Sequence, residues 1–396
     1  MQGHKSQQQM KELNIIYIGP LSFPLGYAST KRRRYMVDYM NEQHITSHIL
    51  STRYNKSKSY TNPITGKYGS NSEYCDISHL FKPTSIIQYY KTGKQKLREW
   101  YISNTKNILI FHTNLLVEDF PFFQYGLKLG YKIVFDQVET SYIAQGTEAS
   151  FKRKCYIGLC NIVTNYAYKK ASGSFVISTA LKIQNARKYP NMPLCILPNS
   201  TPILSETVKN ELSQPIKILY SGTYAPKDGV KYLIEGFMLA LNNNIQCELI
   251  LVGKGSEKDM DIVKKAISQC SHIKYLGFVS DEELVHIMQK CDILAMTRNN
   301  SVFANYGFPF KLSEYLATGN IVMATKVGDV CLYLKDRYDA YLINPENAQA
   351  IADTIIEISR NPQKAISVAQ NGLETMKKEF NIETIGYKFI SFLNQI

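Results

Sequence analysis

Short apolar runs recur along the chain, separated by stretches whose apolar positions return every three or four residues. The first pattern suits a strand buried on both faces, and the second suits a helix with one buried side. Residues 13–18 (Leu-Asn-Ile-Ile-Tyr-Ile) make the first run, and Gly19-Pro20 end it. The loop Phe23-Pro24-Leu25-Gly26-Tyr27-Ala28 leads into a helix that Ser29 or Thr30 would cap. This helix carries Lys31, Arg32, Arg33 and Arg34, with Tyr35, Met36, Tyr39 and Met40 as its apolar side. Strand, glycine loop and helix in that order form the first step of a doubly wound α/β fold. A second strand is expected over 45–50. Residues 52–78 are polar, Tyr-rich and aperiodic, which predicts a mobile binding loop or a disordered segment.

Strand 107–111 delivers His112-Thr113-Asn114 at its carboxyl end, and strand 131–135 delivers Asp136-Gln137-Val138-Glu139. Open parallel sheets bind ligands at that edge, so His112, Asp136 and Glu139 are placed for chemistry. Capping the following helix is an equally ordinary use for each. Residues 151–171 read as a helix that is basic at both ends and apolar between. A membrane interface would suit it, but a helix buried in the domain is the favoured reading. Strands 174–178 and 194–197 follow, and Pro198-Asn199-Ser200 with Pro202 marks a linker.

The second half repeats βα units. Strand 216–220 runs into Ser221-Gly222-Thr223-Tyr224, then Lys227-Asp228-Gly229 and an amphipathic helix through Leu233, Phe237 and Leu241. Strand 248–252, the turn Gly253-Lys254-Gly255, a helix to about 269, strand 273–276, helix 281–289 and strand 291–295 come next. Residues 306–325 then read as loop, short helix, tight stop and buried strand. Pro309 suits the first helical position, and Gly319 the left-handed residue past the helix end. The N–H groups opening that helix, with Lys311 in its first turn, predict an anion site. Glu314, one turn on, is left to accept hydrogen bonds from hydroxyls. A surface Lys311–Glu314 pair on an ordinary amphipathic helix is the plain alternative.

Composition adds limits. A chain of 396 residues is long for one core, so two domains are the natural expectation. No apolar run reaches the ~20 residues needed to span a bilayer, and the Gln-rich start resembles neither a signal peptide nor an anchor. The eight cysteines show no C-x-x-C and no Cys/His ligand spacing. They are expected to be reduced structural thiols in a cytoplasmic protein, with no metal site. Residues 1–200 hold 26 Lys/Arg against 11 Asp/Glu, whereas residues 201–396 hold 20 against 22. The first half therefore suits an anionic partner: lipid headgroups, a phosphorylated substrate or an acidic glycan. Nucleic acid would satisfy the charge alone, but no recognition motif supports it. Nor is there a G-x-x-x-x-G-K-[ST] for a P-loop.

Taken in order, Tyr220-Ser221-Gly222-Thr223, Leu251-Val252-Gly253-Lys254-Gly255, Tyr275 to Ser280, Cys291-Asp292-Ile293-Leu294, the 306–325 stretch and Val327-Gly328-Asp329 resemble the retaining GT-B glycosyltransferases of family 4. The resemblance covers nearly the whole chain and is fullest in the second half. It implies two Rossmann-like α/β domains facing a cleft. Residues 1–198 would bind the acceptor, and 199–379 the nucleotide sugar. Residues 380–396 would form a terminal helix crossing back to the first domain. Glu314 matches the family's second motif Glu, which implies a contact to the donor ribose. Gly307 and Phe308 match as well, whereas Tyr306 stands where the first motif Glu would contact the donor sugar. Pro309, Lys311 and Glu314 fit a sub-branch with Pro-x-Lys-x-x-Glu, in which the Lys meets the donor diphosphate. Gly222, Thr223, Lys227 and Gly253 fall on the other donor-side turns, although Thr223 and Asp228 replace the usual basic residues there. Gly26 matches the glycine loop near the reaction centre, with Arg32 and Arg33 beside it on the acceptor side. Gln137-Val138-Glu139 stand about where the family places a His.

The implied reaction is retaining transfer from a UDP- or GDP-sugar to an acceptor hydroxyl, with no metal and no further cofactor. The basic first half suggests an anionic or lipid-linked glycan acceptor and peripheral contact at the inner face of the cytoplasmic membrane. Cell-surface polysaccharide or glycolipid assembly would be the setting. The rival is a GT-B-shaped scaffold subunit without turnover, for which the missing first Glu speaks. A nucleotide-sugar epimerase would need an acid/base set that this chain does not assemble.

Overall fold

The computed structural model describes residues 12–26, 28–53, 61–139 and 150–396. The Gln-rich start, Tyr27 of the glycine loop and residues 54–60 of the polar stretch lie outside the described residues. The chain divides into two α/β units, one of Met1–Pro198 with Ile385–Ile396, the other of Asn199–Thr384.

In the first unit, strand β1 (Leu13–Gly19) is followed by helix α1 (Ala28–Glu42), β2 (Thr46–Ser51), β3 (Thr65–Tyr68) and β4 (Ser72–Asp76). Helix α2 (Ile86–Glu99), β5 (Lys106–His112), α3 (Phe120–Leu129), β6 (Lys132–Gln137) and α4 (Phe151–Tyr168) come next. Strand β7 (Gly173–Val176), α5 (Thr179–Lys188) and β8 (Leu194–Ile196) complete it. The described strands form one sheet in the order β3-β4-β2-β1-β5-β6-β7-β8. All neighbours are parallel except the β3–β4 pair. Strand β1 is buried along its whole length, as expected of a central strand covered on both faces. Strand order reverses between β1 and β5, so the carboxyl ends of these two strands, Gly19 and His112, flank a switch point.

Three expectations for this unit change. Residues 52–78 are not a plain loop, because β3 and β4 form a hairpin at the sheet edge. Its signal in the sequence is weak because the strands are short. Close packing holds it: Gly66 lies under the Tyr74 ring, where a Cβ would come within 2.5 Å of the hydroxyl. Helix α1 starts at Ala28, so Ser29 and Thr30 lie inside it, and Thr30 Oγ1 donates to Ser22 O at 2.8 Å. Helix α4 is not a buried helix. Only Cys160, Thr164, Ala167 and Tyr168 are buried, because the sheet covers one narrow face of it.

The second unit runs β9 (Ile216–Gly222), α6 (Val230–Asn242), β10 (Cys247–Gly253), α7 (Glu257–Gln269), β11 (Ile273–Gly277) and α8 (Asp281–Lys290). Strand β12 (Ile293–Met296), α9 (Val302–Tyr306), α10 (Phe310–Leu316), β13 (Ile321–Thr325), α11 (Val330–Tyr333) and β14 (Tyr341–Ile343) follow. Helices α12 (Ala348–Arg360) and α13 (Pro362–Glu379) close the unit, and α14 (Ile382–Gln395) ends the chain. The described strands form a parallel sheet in the order β11-β10-β9-β12-β13-β14. Its core joins Ile218, Tyr220, Leu233, Phe237, Leu251 and Ile355. Ser256, Ser280, Ser301 and Asn347 cap α7, α8, α9 and α12 through their side chains, each accepting a backbone N–H of the first turn. The sheet's order reverses between β9 and β12, which sets a second switch point beside Gly222.

From Ile385 onward α14 belongs to the first unit. Phe389 stacks on Phe175 with ring centroids 4.8 Å apart, and Phe392 meets the same ring edge-on.

Candidate active site

In the second unit, the switch point gathers side chains from four segments. Lys311, in the first turn of α10, sends its Nζ across to the end of β9. There it donates to the Tyr220 hydroxyl at 2.9 Å and lies 3.9 Å from Asp228 Oδ1. The Tyr220 hydroxyl in turn donates to Thr223 O, and Thr223 Oγ1 donates to Asp228 Oδ2 at 2.5 Å. Gly222 makes this possible. Its φ is +143°, and a Cβ there would come within 2.4 Å of both Lys311 Cε and Nζ. Gly253, at the same level on β10, would place a Cβ 1.9 Å from Gly222 O, so the two glycine turns interlock. Gly229 fits against Thr297 O in the same way, which ties the Asp228 turn to the end of β12.

Arg298, two residues past β12, is the cation that the sequence did not single out. Its Nε is buried with no hydrogen-bond partner, and burial holds its pKa below the ordinary value while Asp228 and Tyr220 oppose the shift. Its signal in the sequence is only a basic residue after a buried strand. Burial also lowers Lys311 to about 8, with Asp228 pulling it up and Arg298 pushing it further down. The Tyr220 hydroxyl is pushed well above its ordinary value, first by burial and then by Asp228. Lys311 and Arg298 thus converge on the buried Asp228 carboxylate, with Glu314 adding negative and Lys227 positive charge near Lys311. This gathering of cations at the strand end suits an arriving anion.

The other donor-side residues take varied positions. Pro309 is the N-cap of α10, not its first helical residue, because its ψ of 120° is still extended. With seven residues, α10 has a small dipole, so the cations carry more of the anion attraction than the helix terminus does. Glu314 is buried one turn after Lys311, and Lys311 reaches Tyr220 and Asp228, not a surface partner. Phe308 packs its ring against Tyr333 and Phe380, while its carbonyl accepts from Asn199 Nδ2 at 3.0 Å. Its side chain is a wedge for the turn. Tyr306 closes α9, and Gly307 follows in extended backbone. Lys227 lies with its Nζ 3.9 Å from the centre of the Phe303 ring, and Thr223 is exposed.

In the first unit, the carboxyl edge is organised differently. Asp136 lies inside β6, and Arg32 clamps it: Nη2 donates to Oδ1 at 3.0 Å and Nε to Oδ2 at 3.3 Å. Arg32 also donates to Leu197 O and Pro198 O, both at 2.9 Å. The expected catalytic Asp136 and acceptor-side Arg32 are therefore a buried ion pair that anchors the chain leaving the unit. Arg33 is fully buried too. It donates from Nη1 to Ser29 O at 2.5 Å, while Nε and Nη2 have no partner, and burial lowers it to about 10. His112 ends β5 with Nδ1 buried and without a partner, and burial with Arg33 drives its pKa well below the ordinary value, so the imidazole is neutral. Thr113, next to it, holds a φ of 59°, an uncommon conformation for a β-branched residue. Glu139 is half-buried two residues past β6, and Gly26 lies in the loop after β1. Among the described residues, no group of three or more His, Cys, Asp or Glu is placed to hold a metal ion.

Residues 205–375 match the family model of glycosyl transferases group 1. An uncharacterized glycosyltransferase of Methanocaldococcus jannaschii is 25% identical over 336 residues, covering 84% of this chain and 86% of that protein. The Anabaena protein HepE, solved in complex with UDP, superposes with a TM-score of 0.69 at 17% identity, covering 97% of this chain and all of that one. Sucrose-phosphate synthase of Thermosynechococcus elongatus gives 0.70 at 15% identity, covering 96% and 98%. The fold is GT-B, and the family-model match together with these relatives supports glycosyl transfer.

Proposed function

We propose that this protein transfers a sugar from a nucleoside-diphosphate sugar to an acceptor hydroxyl with retention of configuration. Assembly of a cell-surface polysaccharide or glycolipid, at the cytoplasmic face of the membrane, is the setting we favour. The observation that carries the reading is the Lys311–Tyr220–Asp228–Arg298 cluster at the β9/β12 switch point, with Gly222 leaving room beside it. That HepE has been solved with UDP and with UDP-glucose supports a nucleotide-sugar donor.

In this reading the donor diphosphate meets Lys311 and Arg298, and Glu314 accepts hydrogen bonds from the ribose hydroxyls. The bond between the anomeric carbon and the diphosphate oxygen breaks, and its electron pair leaves on that oxygen. The acceptor oxygen bonds to the same face of the sugar, and its proton passes to the departing phosphate. Two preorganised cations stabilise the charge that develops on the leaving group, a contribution that grows in a buried site. On the acceptor side the reading keeps neutral His112 and half-buried Glu139 as the residues that orient the acceptor, and Asp136 serves as the partner of Arg32.

A screen of UDP- and GDP-sugars for slow donor hydrolysis, with Lys311→Ala as the control, tests the proposal. Turnover of at least one donor is expected, and the variant should be slower by more than about tenfold. Near-normal turnover in Lys311→Ala would overturn the phosphate assignment. Tyr306, in place of an expected acidic contact to the donor sugar, favours a second reading, a binding subunit without turnover. Donor binding with no hydrolysis of any donor would select it.

A further inference from the structure

Helix α4 carries two apolar faces, and the fold uses only one. Cys160, Thr164, Ala167 and Tyr168 face the core, Thr164 Oγ1 donates to Leu115 O at 3.1 Å, and the Tyr156 hydroxyl donates to Glu118 at 2.8 Å. On the opposite side, Phe151, Cys155, Leu159, Ile162 and Tyr166 follow one another at intervals of four, four, three and four residues. At 3.6 residues per turn they fall within a stripe about 80° wide. Phe151 is exposed to 81% and Ile162 to 64%, and Cys155 and Leu159 are exposed between them. Tyr166, at the end of the stripe, sets its ring edge against Phe120 and Phe123, so the uncovered part runs from Phe151 to Ile162. Gly158, at the edge of the stripe, has nothing near its Cβ position. A soluble surface seldom strings large apolar side chains along one line unless something covers them.

The charges around the stripe say what covers it. Lys152, Arg153 and Lys154 crowd the first turn, Lys169 and Lys170 follow the last, and the helix has no Asp or Glu. Basic residues in the first turn oppose the helix dipole, a placement that costs stability and calls for a reason outside the helix. The surrounding half of the chain shares the sign, with 26 Lys/Arg against 11 Asp/Glu in residues 1–200. No described helix is long and apolar enough to cross a membrane. An apolar stripe flanked by cations on an 18-residue helix is instead the pattern that lies in the headgroup region of a bilayer. A protein partner would need a matching acidic rim, whereas an anionic leaflet supplies the negative charge everywhere.

We infer that the outer face of α4 docks the protein on an anionic lipid surface, with Phe151, Leu159 and Ile162 entering the acyl boundary and the basic residues at its ends meeting the headgroups. The docking needs no sugar donor, so it stands or falls separately from the proposed transfer.

The test is co-sedimentation of the full chain with vesicles of phosphatidylcholine alone, or with about one third phosphatidylglycerol, at low and high salt. The variants are Phe151→Ser/Leu159→Ser/Ile162→Ser and Lys152→Gln/Arg153→Gln/Lys154→Gln, each checked for an unchanged melting temperature. Wild type should bind the anionic vesicles at low salt. The apolar variant should lose about tenfold or more in binding, and the basic variant should lose most of its salt dependence. In Ile162→Trp, indole emission in excess of that from the native Trp100 should shift to the blue on anionic vesicles. Absence of wild-type binding at low salt, or full binding by the apolar variant, would overturn the proposal. So would an emission maximum in Ile162→Trp that does not move. A wild-type dimer in light scattering that the apolar variant converts to monomer would give the stripe to a second copy of the chain instead.

Discussion

Lys311 is held near the pH at which it gives up its charge, and this shapes how the protein should respond to pH. Its pKa is lowered to about 8, so the free site is charged below that value and neutral above it. An anion bound beside it raises the pKa, so binding should take up a proton near pH 8. Affinity for UDP should therefore fall between pH 7 and pH 9, whereas Lys311→Arg should bind with a flat profile. Titration calorimetry in two buffers of different ionisation heat checks both points. Gly222→Ala should weaken UDP binding at least as much as Lys311→Ala, because its Cβ would occupy the space of the Lys311 ammonium. Asp136 makes the opposite kind of prediction. Asp136→Ala leaves Arg32 and Arg33 buried without a counter-charge, so it should cost about 3–5 kcal/mol of stability. Denaturant unfolding would show it, and an unchanged midpoint would return Asp136 to the chemistry. Sequence alone placed Asp136 at the carboxyl edge of a strand. It could not say that a cation 104 residues earlier would claim it, because that pairing depends on how α1 docks.

Among the elements, strands were the most legible. Buried runs such as Ile-Ile-Tyr-Ile in β1 and Ile-Leu-Tyr in β9 leave little choice, and the glycine stops after them fix where they end. The β3–β4 hairpin was not legible, since four- and five-residue strands at a sheet edge carry too little periodicity to stand out. The exposed side of α4 was not legible either, because apolar content alone does not say which face is covered. What holds α4 in place includes a polar cluster at its inner side, where Tyr156 and Arg53 both engage Glu118. Next to it Asp119 is buried, and burial raises its carboxyl to about 7, with Glu118 adding to the shift. A folded carboxyl titrating near 7, against an ordinary 3.8, binds more protons than the unfolded chain between those values. Stability from this group is therefore lost as pH rises through that window. Asp119→Asn should raise the melting temperature at pH 8 by about 2–4 °C and change it little at pH 4. Calorimetry at the two pH values decides it, and an equal effect at both would mean that Asp119 does not titrate there.

At the scale of the whole chain, the order of parts carried more than any motif did. Each glycine turn is common in α/β proteins, but the succession from Tyr220 to Asp329 fits one arrangement of a sheet around β9. The position of α10 at the carboxyl edge, which brings Lys311 to the end of β9, was readable from that succession. Arg298 was not, because nothing local distinguishes it from other basic residues after a strand. The cysteines offer a use of their own. Six of the eight are buried or half-buried, and burial lifts the thiol pKa of Cys247 and of Cys291 to about 12, which keeps them unreactive. The two exposed thiols fall one in each unit, Cys155 on α4 and Cys331 on α11. A thiol reagent should consume two equivalents rapidly from the native protein and all eight after denaturation. The unmodified chain thus supplies a donor–acceptor dye pair spanning its two halves, and the energy transfer between them would report, without a single engineered cysteine, whether a nucleotide sugar changes their separation.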